Sequence, residues 1–94
     1  VRAIVWTTPA EHDLEEIDDY WLKHNPERAD AILDVIEAAG NFLTTMPHAG
    51  PAVHSLAARK WSVSTTDYVL VYRVHVDRIE VLRVHHARQD WFPS

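Results

Sequence analysis

Two helix starts stand close together in the first third of this chain, and they restrict what can be built around them. Thr8 is placed to cap a first helix, Pro9 sits at the first helical position where its missing N–H costs nothing, and Glu11 completes a capping box. Asn25-Pro26 repeats the device, so a second helix begins almost without a loop and the pair forms a hairpin. Leu14, Ile17 and Trp21 recur every three or four residues on the first helix, while Glu11, Asp13, Glu15, Glu16, Asp18 and Asp19 fall on its remaining, wet faces. Ala29, Ile32, Leu33, Ile36, Ala39 and Leu43 supply the stripe of the second helix, and Gly40 reads as a weak point or a close contact. Two prolines and a glycine within residues 45–51 end it.

Everything around the hairpin reads as sheet. Residues 2–7 (RAIVWT) form a short first strand, and 59–64, 68–75 and 78–85 form an antiparallel meander with a tight turn at Val76-Asp77. That turn pairs Arg73 with Glu80, Val71 with Leu82 and Val69 with Val84. We expect Val69, Val71, Leu82 and Val84 to face the helices, leaving Tyr68, Leu70, Tyr72, Val74, Ile79, Val81, Arg83 and His85 on a working surface. A slip of one residue reverses this assignment. The first strand has to join the same sheet. The expected fold is α+β, in the order β-α-α-β-β-β: a four-stranded, mainly antiparallel sheet with the helix hairpin on one face, in a single domain spanning residues 1–94.

Composition narrows the functional classes. With no cysteine among its 94 residues the chain has no disulfide, thiolate metal site or cysteine nucleophile, and it fits a reducing, cytoplasmic compartment. No apolar run reaches the ~18–20 residues that cross a bilayer. The net charge of −5 is unevenly spread: the first 50 residues carry ten acidic and three basic side chains, the remainder four and six. An acidic first half argues against nonspecific wrapping of nucleic acid, while five arginines in the second half can bind phosphate or a carboxylate-rich peptide.

The densest polar group is Arg83, His85, His86, Arg88, Gln89, Asp90 and Trp91. Histidines and arginines together can supply the base, the acid and the cations that RNA cleavage requires. Adjacent strand residues point to opposite faces, so His85 and His86 share a substrate only where the strand has ended. The alternative has Arg88 and Asp90 as a local ion pair, with Trp91 and Phe92 closing the core. Arg59-Lys60-Trp61 is a second basic and aromatic cluster, able to reach the surface of Arg83 if both face outward. The seven histidines form no HxxxH or HExxH pattern, and P-loop, GxGxxG and GxSxG motifs are missing, so no metal or cofactor is expected.

The capped helix at Pro9, the run DLEEIDDYW at 13–21, YVLVYRV at 68–74 and IEVLRVHHARQDW at 79–91 together resemble the ParE/RelE superfamily of toxins from type II toxin–antitoxin modules, over essentially the whole chain. The resemblance implies a small cytoplasmic toxin without cofactors, held in a hetero-oligomer by a cognate, ParD-like antitoxin. ParE-like members poison DNA gyrase, whereas RelE-like members cut mRNA on the ribosome with a cluster of basic residues. Arg59 and Arg83 match positions where RelE-like proteins keep active-site arginines, and His85 or His86 can act as acid or base. Residues 51–58 (PAVHSLAA) hold no lysine or arginine where such nucleases place them, and His54 is only a partial substitute. The balance favours a ParE-like toxin over a ribosome-dependent nuclease, with a non-toxic, peptide-binding member as a third reading.

Overall fold

The computed structural model describes residues 2–87. Strand β1 (Ala3–Trp6) leads into helices α1 (Thr8–His24) and α2 (Pro26–Thr45), followed by β2 (Ala52–Val53), a 3-10 turn at His54–Leu56, β3 (Ala58–Ser62), β4 (Tyr68–Val74) and β5 (Arg78–His86). The sheet order is β1-β5-β4-β3-β2, with β1 parallel to β5 and the other pairs antiparallel. The helix pair packs on this mixed sheet as expected. The fifth strand is β2, two residues of the stretch 51–58 that lacks strand periodicity and is recruited by pairing Ala52 with Arg59 and Val53 with Ala58.

The start of α1 lies one residue earlier than its capping pattern suggests. Thr7 is the cap: its Oγ accepts from the Ala10 N–H at 3.3 Å and donates to the Leu82 carbonyl at 3.0 Å. Glu11 is therefore one position too far along to close a capping box, and Pro9 still falls in the first turn, where its missing N–H costs nothing. Thr7 is chosen over Thr8 because its hydroxyl serves two elements at once. At the other end a single residue, Asn25, joins the helices: its N–H closes α1 on the Trp21 carbonyl, and its own carbonyl receives the Arg28 N–H. Its side chain makes no capping bond.

The buried core lies between the helices and one sheet face. Ala10, Ile17, Ile32, Ile36 and Leu43 meet Tyr68, Leu70, Tyr72, Ile79, Val81 and Val84. This reverses the expected sheet faces. Arg73 does pair with Glu80, but a bulge between Val71 and Tyr72 leaves Leu82 as the extra residue, so Val71 pairs with Arg83, Leu70 with Val84 and Val69 with His85. Val84 alone of the four residues assigned to the helix side belongs to that core. Gly40 proves to be a close contact with β1: a Cβ there would lie 2.8 Å from Cζ2 of Trp6 and 3.1 Å from Cδ1 of Ile4. No helix among the described residues is long and apolar enough to cross a membrane.

Candidate functional site

The topology creates an open stretch on the last strand. β1 accompanies β5 only as far as the pairing of Trp6 with Val81, after which the chain leaves the sheet to enter α1. The backbone of β5 beyond that point needs other partners on that side, and the start of α1 provides them. The Thr7 N–H donates to the Val81 carbonyl at 3.1 Å and its hydroxyl to Leu82. One helical turn further, Asp13 accepts the Val84 N–H at 2.9 Å and two bonds from Arg83, Nε at 2.7 Å and Nη2 at 3.0 Å.

Asp13 is therefore not one of the wet residues of α1. It is 8% exposed and carries a carboxylate that three N–H groups satisfy. The same interaction holds the Arg83 guanidinium above its ordinary pKa, chiefly through the hydrogen bonds to Asp13 and against the opposing effect of burial.

A cleft of about 1020 Å³ opens beside this pair, lined on one side by α1 and the start of α2 and on the other by the 65–68 turn and the end of β5. Its floor is aromatic. Trp21 Nε1 donates to the Tyr68 hydroxyl at 3.1 Å, the His86 ring stands edge-on to Tyr68 with centroids 5.6 Å apart, and the Arg28 guanidinium lies 5.6 Å from the Trp21 ring. His86 Nε2 also stands 3.8 Å from a carboxylate oxygen of Asp67. His85 and His86 both line the cleft, although they are consecutive residues of the strand.

Arg59 does not join them. Its Nη1 donates to the Gly50 carbonyl at 2.7 Å, in a separate, smaller cleft shared with His54 and Arg73. It forms part of a clasp on the 46–51 loop, in which the buried Tyr72 hydroxyl donates to the Pro47 carbonyl at 2.8 Å and accepts the Gly50 N–H at 3.0 Å. Burial raises the Tyr72 pKa above its usual value, more than its bond from Gly50 and the nearby Arg59 charge lower it. Of the five candidate residues the structure thus brings Arg83, His85 and His86 to one cleft and puts Arg59 in another. Arg88, Asp90, Trp91 and Phe92 lie outside the described residues.

Sequence reasoning missed Asp13 and Arg28. A periodicity argument assigns any acidic residue between apolar positions to the solvent side, and nothing local marks Asp13 as the partner of a strand 70 residues away. Tyr68, expected on the working surface, lies on the core side and still lines the cleft; β4 is apolar at both alternating sets of positions, so its pattern does not tell the faces apart.

The sequence and the fold have counterparts among known proteins. The sequence model of the ParE toxin of type II toxin–antitoxin systems, parDE, matches residues 4–91. The chain is 31% identical over 90 residues to "Putative toxin Y4kP" of Sinorhizobium fredii, covering 96% of this chain and 93% of that protein. A chain from the solved structure of the chromosomal ParDE toxin–antitoxin system of P. aeruginosa superposes with a TM-score of 0.77 at 25% identity, covering 90% of this chain and 95% of that one. The chain belongs to the ParE family of toxins of type II toxin–antitoxin modules. A toxin of this kind has a cognate antitoxin as its partner.

Proposed function

We propose that this toxin arrests growth by acting on DNA gyrase, and that its antitoxin neutralises it in a hetero-oligomeric complex. The observation that carries the choice of target is the separation of the two arginines. Cleavage of RNA requires a base, an acid and cations gathered on one scissile phosphate. Here Arg83 shares a cleft with His85 and His86 but is held by the Asp13 carboxylate, and Arg59 is bonded to the Gly50 carbonyl in the other cleft. The stretch 51–58 adds no lysine or arginine to either. Acting on another protein makes no such demand, because a shaped surface is sufficient.

Controlled expression without antitoxin tests this reading. The expected result is growth arrest with loss of negative supercoiling in a reporter plasmid and intact mRNA, and purified toxin should inhibit supercoiling by purified gyrase. Arrest with ribosome-dependent mRNA cleavage and unaffected gyrase overturns it in favour of a nuclease. Absence of arrest at matched abundance overturns it in favour of a non-toxic binder.

A further inference from the structure

Among the described residues no carboxylate lines the smaller cleft, of about 280 Å³, although the chain as a whole has a net charge of −5. His54, Arg59 and Arg73 line it instead. Both guanidinium groups are fixed by backbone carbonyls. Arg59 Nη1 donates to Gly50 at 2.7 Å, and Arg73 donates from Nε to Ala57 at 3.3 Å and from Nη2 to Leu56 at 3.4 Å. Ala57 ends the 3-10 turn with a φ of 50°, a left-handed conformation that an alanine adopts at a cost, and Arg73 holds its carbonyl. Glu80 stands 3.9 Å from Arg73 Nη1, but the same Glu80 oxygen is bonded by His75 at 3.0 Å. The His54 side chain has no partner among the described residues. A guanidinium carries five N–H groups, so both arginines keep donors beyond those that brace the loop.

We propose that this cleft binds a phosphate dianion through Arg59, Arg73 and His54, and that it binds without cleaving. A carboxylate matches the fork of one guanidinium, whereas a phosphate offers oxygens to several donors at once and carries the charge that two arginines balance. Ala52, Val53 and Val74 complete the walls, so a group esterified to the phosphate has an apolar surface to lie on. Inorganic phosphate and a nucleoside 5′-monophosphate present the same dianion. Cleavage needs both a base and an acid. Among the residues lining the cleft only His54 is open to either role, because the Tyr72 hydroxyl donates to Pro47 and accepts from Gly50. Binding also has a structural consequence. Arg59 braces Gly50 and Arg73 braces Leu56 and Ala57, so an anion between the two arginines ties both ends of that segment to the sheet. The site is separate from the cleft beside Asp13 and independent of gyrase.

The test titrates the isotopically labelled toxin with sodium phosphate, adenosine 5′-monophosphate or sodium acetate, at one slightly alkaline pH and constant ionic strength. Phosphate should move the Nε–H signals of Arg59 and Arg73 on a saturable curve, with an affinity at least tenfold that of acetate. It should also slow hydrogen exchange of the Ala57 N–H, which is bonded to the His54 carbonyl at 3.2 Å. Arg73→Gln should weaken phosphate at least fivefold and His54→Gln at least twofold, whereas Lys23→Gln, on α1 and outside the cleft, should leave it unchanged. Because Arg59 also braces Gly50, Arg59→Lys keeps the charge without the fork and should weaken phosphate at least threefold. Tighter binding of adenosine 5′-monophosphate than of phosphate makes the occupant a nucleotide, and equal binding makes it free phosphate; both support the proposal. An unsaturable response, acetate binding as tight as that of phosphate, or an equal loss from Lys23→Gln overturns it. So does tighter binding of an oligonucleotide without terminal phosphates, which gives the cleft to a nucleic-acid backbone. Cleavage of an RNA oligonucleotide that disappears in His54→Gln overturns the claim that the site only binds. None of these outcomes is a measurement of gyrase, so each reading can fail alone.

Discussion

Asp13 and Arg83 are 70 residues apart in sequence and joined by two hydrogen bonds of 2.7 and 3.0 Å, which tie the second turn of α1 to the last strand where β1 no longer covers it. Replacing Asp13 with alanine leaves the Val84 N–H and the guanidinium without their acceptor. We expect a loss of about 2–3 kcal/mol, below the ~3–5 kcal/mol of a fully buried pair because the Arg83 side chain is 47% exposed. Asp13→Asn keeps one acceptor oxygen and should lose less. Thermal or urea unfolding of the two variants measures the difference, and equal stabilities would remove Asp13 from the framework. The same bond makes Arg83→Ala a stability variant too, so any loss of toxicity in it has to be read at matched folded abundance.

The Tyr72 hydroxyl holds the 46–51 loop through Pro47 and Gly50. Tyr72→Phe removes both bonds and should destabilise by about 1–3 kcal/mol. The alkaline limb of stability should change with it. Burial raises the folded pKa above the ordinary phenol value of 10.0, so the contribution of this phenol is complete below pH 10.0 and is lost as pH rises through the folded value. The wild-type chain should lose stability between those two pH values, and Tyr72→Phe should show a shallower decline. Unfolding free energies measured from pH 8 to pH 11 (roughly the span around an ordinary phenol pKa) decide it.

The two glycines should respond to alanine very differently. At Gly40 a Cβ meets the edge of the Trp6 ring at 2.8 Å, and the ring can shift, so strain there offsets the ~1 kcal/mol that alanine normally contributes inside a helix. At Gly50 the Cβ would lie 2.1 Å from the Lys60 carbonyl oxygen, which belongs to the backbone of β3. Gly40→Ala should be close to neutral, and Gly50→Ala should cost several kcal/mol or prevent folding, on the scale of overpacking that forces a backbone shift. Soluble yield and melting temperature separate the two, and a folded Gly50→Ala of normal stability would contradict the loop geometry.

Thr65 has a φ of 67°, a left-handed conformation that a β-branched side chain tolerates poorly. Thr65→Asn should therefore raise stability by about 0.5–1 kcal/mol. A melting temperature below that of the wild type would show that the Thr65 side chain contributes more than its backbone costs.

How far the sequence led differs from element to element. Both helices and the three long strands were legible, because proline position, apolar spacing and β-branched runs are local signals that packing reinforced. The orientation of the sheet was not. In β4 both alternating sets are apolar, so periodicity gives no preference between the two faces, and the Tyr72 hydroxyl finds its partners, Pro47 and Gly50, inside the protein. The bulge at Leu82 shifts every later pair and leaves no mark in composition, and it is what puts Val84 on the core side while Val69 and Val71 stay outside that core. Arg83 was legible as a residue of interest, but its partner was not. Long-range carboxylate–guanidinium pairs follow from topology, and only the parallel placement of β1 beside β5 brings Asp13 to Arg83.

That placement also sets when the sheet can close. Among the described residues the first strand, Ala3–Trp6, pairs only with the fifth, Arg78–His86, and Thr7 reaches Leu82 over a separation of 75 residues. At translation speeds of about 5–20 residues per second, β1 waits roughly 4–15 s for its neighbour. During that interval the helix hairpin exists without its closing strand, and the cleft has no second wall. A chain broken off before β5 lacks the wall that carries Arg83, His85 and His86, so the cleft exists only in a chain whose two ends have met.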